Sequence, residues 1–111
     1  MEIPFTVIDW SSIPKIENQG EAGKSVQQSI QFQDLKVRVV EYSPGYFANH
    51  WCQKGHVVYC LEGSFESHME NGEKFYLTKG MTYVVSDQMS SHRSSTVEGA
   101  KLLIIHGEFL K

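Results

Sequence analysis

Three side chains able to ligate a transition metal, His50, Cys52 and His56, fall within seven residues of this chain, in Asn49-His50-Trp51-Cys52-Gln53-Lys54-Gly55-His56. Neutral imidazole and thiolate suit zinc, iron, nickel or copper, whereas calcium and magnesium want oxygen ligands. The donors therefore predict a divalent transition ion, used as a structural staple or as a Lewis acid toward a small molecule. No Gly-rich phosphate loop, nucleophile elbow or triad spacing is present, so nucleotide and acyl-transfer chemistry lack support. No residue identifies itself as a general acid or base, and the catalytic residues are unknown at this level.

Such donors need rigid elements to bring them together. In an extended chain successive side chains alternate, which puts His50 and Cys52 on one face and Trp51 on the other. A turn through Gln53-Lys54-Gly55 then returns His56 beside them. Short apolar or alternating runs at 5–8, 26–32, 35–42, 47–52, 56–61, 64–69, 74–77, 81–85, 92–96 and 102–106 read as about ten short antiparallel strands. Ser43-Pro44-Gly45, Glu62-Gly63, Asn71-Gly72, Lys79-Gly80 and Glu98-Gly99 supply turn chemistry between them, Asn71-Gly72 being the strongest hairpin signal. Helical periodicity is absent apart from a short stretch near 10–16. The chain reads as all-β, a sandwich or barrel. Val57, Tyr59 and Leu61 are as apolar as His56, Val58 and Cys60 on the opposite strand face, so both faces expect cover, the outer one from a partner strand, a second layer or a second subunit, and a homodimer is expected.

At 111 residues, with 41% hydrophobic and 21% charged residues, the chain fits one folded domain, 1–111. A net charge of -3 without a Lys/Arg cluster excludes nucleic acid as a partner. No long apolar run or leader-like start is seen, so no membrane partner and a cytoplasmic location are expected. In that compartment Cys52 and Cys60 read as thiols or ligands; a bridge between them is the weaker reading. Cys60 belongs in the core, and Tyr59 and Tyr83 read as core aromatics before pocket residues. His68 reads as a surface residue, Glu62 as an outward turn carboxylate, and Arg93 as facing away from His92. His106 ends an apolar strand with no ligand neighbour.

From His50 onward these residues resemble the first cupin motif: His50 and Cys52 match its two histidines, His56 its glutamate and Gly63 its closing glycine, while Gly45 stands one residue too close. Gly80 to His92 is similar to the second motif, with one extra residue before His92 and its proline, second glycine and asparagine missing. The resemblance implies a double-stranded β-helix, or jelly-roll barrel, with His50, Cys52, His56 and His92 at the four ligand positions. Two of these differ in kind, cysteine for histidine and histidine for glutamate, which keeps the charge but softens the set and favours zinc, copper or nickel over manganese. More narrowly, His50-Trp51-Cys52-Gln53-Lys54-Gly55-His56, the run from Lys79 to Asp87 and Ser90-Ser91-His92-Arg93 are similar to small cupins named for a DHCW motif. The DHCW group has no established activity to carry over; the resemblance to cupins at large implies dioxygenase- or isomerase-like chemistry on a small-molecule substrate. The alternatives are a non-catalytic metal- or ligand-binding module and a structural homodimer with a vestigial site.

Overall fold

Alternating β-branched and polar residues, as in Leu35-Lys36-Val37-Arg38-Val39-Val40, dictate extended chain, and hairpin turns set which segments meet. The computed structural model describes residues 2–111. It contains eight strands: β1 (Ile16–Gln19), β2 (Lys24–Phe32), β3 (Leu35–Tyr42), β4 (His56–Met69), β5 (Lys74–Thr78), β6 (Thr82–Val85), β7 (His92–Ser95) and β8 (Ala100–His106). Every pairing is antiparallel, in the order β1-β2-β3-β8-β4-β5, with β6 and β7 also on β4.

β4 organises the molecule. Its first half lies between β6 and β8, with His56 opposite Val85 and Val57 opposite Ile105. Its second half lies between β5 and β7, with Ser64 opposite Thr78 and Glu66 opposite Ser95. The corner between them is a register shift at Cys60/Glu62, followed by Gly63 at φ 75°. A Cβ at Gly63 would collide with the Gly99 carbonyl oxygen, so the chain can turn from sheet to sheet only with glycine there. Inward residues Val40, Val58, Cys60, Phe65, Leu77, Ala100, Leu102 and Ile104 form the core, with Tyr42 and Tyr83 packed on it.

The expected all-β jelly roll is present, with these differences in its elements. Residues 56–61 and 64–69 are one strand, because Glu62-Gly63 makes a bulge instead of a turn. Residues 5–8 find no ladder; Phe5 and Val7 are exposed, and Ile16–Gln19 takes the edge of β2 instead. The helical hint near 10–16 is a single 3-10 turn, Trp10–Ser12, capped by Asp9. The segment 10–13 is held to β2 by Gln28 Nε2, which donates to the Trp10 and Ile13 carbonyls at 2.5 and 2.9 Å.

The segment 47–52 bridges only at its ends, Phe47 to Ala22 and Ser95, and Cys52 to His92. Six residues face four on β7, so two are extruded and the middle cannot join the ladder. Among the described residues, no helix is long and apolar enough to cross a membrane.

Candidate metal centre

Cys52 and His92 are locked to each other by backbone: Cys52 N–H donates to the His92 carbonyl at 2.7 Å, and His92 N–H returns the bond at 3.0 Å. Residues exchanging both bonds sit directly opposite, with side chains on one face. Arg93, the next residue on β7, points the other way, stacked between the rings of Phe47 and Trp51 at 4.3 and 4.5 Å. It also pairs with Glu21 at 3.2 Å. That stack holds Trp51 outward and so directs Cys52 inward.

His56 opens β4, its entry fixed by Gly55, whose N–H donates to Asp87 Oδ1 at 2.6 Å. A side chain on Gly55 would strike the Ser86 and Asp87 backbone, so this approach requires glycine. Cys52, His56 and His92 each present one ligand atom, all within 4.8 Å of one another. That spacing is close enough for the three to share a single ion.

The electrostatics of the group fit a metal. His56 and His92 are 8% and 3% exposed. Burial, reinforced by the positive charge of Arg38, holds the His56 imidazolium down to about 4. Burial also lowers His92. Both rings are therefore neutral at neutral pH, the form that ligates. His92 Nδ1 is engaged by Ser90 Oγ at 2.8 Å, which leaves Nε2 free and fixes the ring. His56 Nδ1 is buried and has no hydrogen-bond partner, an unmet demand of the kind an ion would satisfy.

The group opens on a cavity of about 530 Å³ whose floor is Val40, Val58, Leu102 and Ile104. Tyr42 and Tyr83 form part of its wall. Burial pushes the Tyr42 hydroxyl up to about 12 and raises Tyr83 as well, so both remain protonated.

His50, the fourth expected donor, stands at the rim of the same cavity, exposed, with Nδ1 2.8 Å from Asn49 Oδ1, and outside the three-residue group. It lies on the extruded part of 47–52, which explains its separation from Cys52. Cys60 is fully buried in the core, as its place on the strand predicts. His68 is not a surface residue: its ring stacks on Phe47 at 5.4 Å, and Nε2 meets Ser95 Oγ at 2.7 Å. His106 is nearer the site than its sequence position implies, its ring 5.9 Å from that of His56 and Nε2 3.4 Å from Asp87 Oδ1. Arg38 and Gln27 also line the cavity. Their signal was alternation with Val40 and Ser25, hidden because both faces of β3 carry apolar residues.

Neither a family model nor a curated protein matches the chain. Solved structures do match. Ectoine synthase from P. lautus superposes with a TM-score of 0.76 at 17% identity, covering 93% of this chain and 78% of that one. A sugar phosphate isomerase from a cupin superfamily, from Silicibacter pomeroyi, gives 0.74 at 15% identity, over 93% and 76%. An RmlC-like cupin from Shewanella frigidimarina gives 0.73 at 18% identity, over 96% and 94%. This chain has the cupin fold. The narrower likeness to the DHCW-motif proteins rests on the sequence alone.

Proposed function

We propose that this cupin-fold protein binds one divalent transition ion, zinc, iron, nickel or copper, through Cys52, His56 and His92, and acts there on a small organic molecule as an isomerase- or oxidoreductase-type enzyme. The observation that carries the reading is a three-donor cluster facing a cavity: three protein ligands leave room in the coordination sphere for a substrate, as catalytic sites require. His50 stays at the rim as a secondary donor. When bound, the ion supplies a Lewis acid at the cavity wall. The chain itself does the rest. Val40, Val58, Leu102 and Ile104 keep the floor dry, and Tyr42 and Tyr83 are protonated hydroxyls able to orient a polar group. Chemistry in the named neighbours, a synthase and an isomerase, agrees with such use of the fold.

Elemental mass spectrometry on untagged protein tests the ion. About one metal per chain is expected in the native protein, little in His56→Ala and His92→Ala, and nearly full content in His50→Ala. Added Zn²⁺ at about 100 times its Kd should stabilise the native chain by about 2.7 kcal/mol. A metal-free protein that gains no stability with Zn²⁺, Ni²⁺, Cu²⁺ or Fe²⁺ sinks the reading. A loaded ion whose spectrum ignores every small molecule offered turns it toward a structural staple.

The proposal includes a homodimer. Val57, Tyr59, Val84, Leu103 and Ile105 share the outer face of the larger sheet, where Tyr59 and Val84 remain 40% and 68% exposed. A second copy is the natural cover for such a face.

A further inference from the structure

Arg38 is set into the cavity wall without a counter-charge. On β3 it lies opposite Ile104 of β8, which in turn lies opposite Val58 of β4, so it shares the inward face with the cavity floor. Its hydrogen bond runs from Nη1 to Gln27 Oε1 at 3.2 Å. Among the described residues, no carboxylate pairs with it and none lines the cavity. Arg93 at the rim is different, since Glu21, Phe47 and Trp51 already occupy it. A half-buried guanidinium lacking an anion costs desolvation that no partner in the fold returns. The positive field it spreads over Tyr42 and Tyr83 meets no opposing carboxylate, and at His56 it is opposed by Asp87, which lies outside the cavity lining.

The shape of the vacancy selects the anion. One planar fork matches the two coplanar oxygens of a carboxylate, and the adjoining Gln27 amide adds a neutral polar contact. A phosphate would ask for donors around three oxygens, and beside Arg38 the floor is Val40, Leu102 and Ile104. The volume, about 530 Å³, lies in the range of small-molecule sites. Arg38 and His56 stand two strands apart and two residues out of register, roughly 12 Å between backbones, a gap that the two side chains and a short aliphatic acid together span.

We infer that the cavity binds a small organic carboxylate, its carboxylate held by Arg38 and its carbon chain on Val40, Leu102 and Ile104, with a second oxygen turned toward Cys52, His56 and His92. Only that last contact rests on the metal reading.

Calorimetric titration of the zinc-loaded protein with succinate and glutarate, against neutral succinamide and inorganic phosphate, tests the inference. Both acids bind, succinamide does not, and phosphate binds more weakly than either acid. Arg38→Gln weakens the acids at least about tenfold, the loss of one charge-assisted bidentate contact, with Arg38→Lys between. Arg38→Gln also keeps its zinc and does not lower the melting temperature of the unliganded protein, because it removes an unpaired charge. Equal acid affinity in wild type and Arg38→Gln, no acid binding, tighter phosphate binding, or a lower unliganded melting temperature in Arg38→Gln each overturns the assignment. Should the chain take up no zinc, the metal reading fails separately. The same titrations on the metal-free chain then decide for Arg38.

Discussion

His56 meets two demands with one ring: it must be neutral to ligate, and it is buried beside Arg38, which makes it neutral. The unfolded chain holds this proton with a pKa of about 6.5, the folded chain at about 4. Between these values the unfolded state binds more protons. The stabilising difference is therefore complete above about pH 6.5 and is lost as pH falls toward 4, on the order of 3 kcal/mol for His56, with His92 acting in the same direction. Urea denaturation of the metal-free protein from pH 7 to pH 4 should show this decline, and His56→Gln should flatten it; an equally steep profile in the variant counts against the assignment. Cys52 and His56 were legible from donor density and His92 from the spacing after Gly80. Arg38 was not, because in a strand apolar on both faces alternation does not say which face is inside. Nor was the separation of His50, which depends on how many residues its partner strand offers.

At the level of elements, the corner of β4 is the most exacting position. Gly63 and Gly72 both have positive φ, but a Cβ at Gly72 meets nothing within 4 Å, while at Gly63 it collides with Gly99. Gly72→Ala should cost about 1 kcal/mol from backbone conformation alone. Gly63→Ala should cost about 2 to 4 kcal/mol, since strain and collision add. Chemical denaturation of the two variants side by side measures the difference, and equal losses would mean that the corner is not tightly packed. The strong alternators were readable: residues 35–42 form β3, and Asn71-Gly72 makes the β4–β5 hairpin. Glu62-Gly63 was misread because a glycine after a polar residue looks the same at a bulge as at a turn. β1 escaped because Ile-Glu-Asn-Gln has weak strand propensity and is exposed at every position; its pairing with β2 creates it.

For the molecule as a whole, the homodimer proposed above would cover the outer face of the larger sheet. Sedimentation velocity should show a dimer, and Val84→Lys or Tyr59→Lys should shift it toward monomer, because two-fold symmetry places each new charge in the interface twice. A native monomer at micromolar concentration would remove the dimer from the proposal. The order of the strands bears on how the chain comes to be folded at all. β8 lies between β3 and β4, joining Val39 to Leu103 on one side and Tyr59 to the same Leu103 on the other. During synthesis β3 and β4 leave the ribosome long before Ala100–His106 does, and until then each offers an open edge to any neighbouring chain. The strand that joins them is thus made after both, so a nascent chain stopped short of it has hairpins but no barrel.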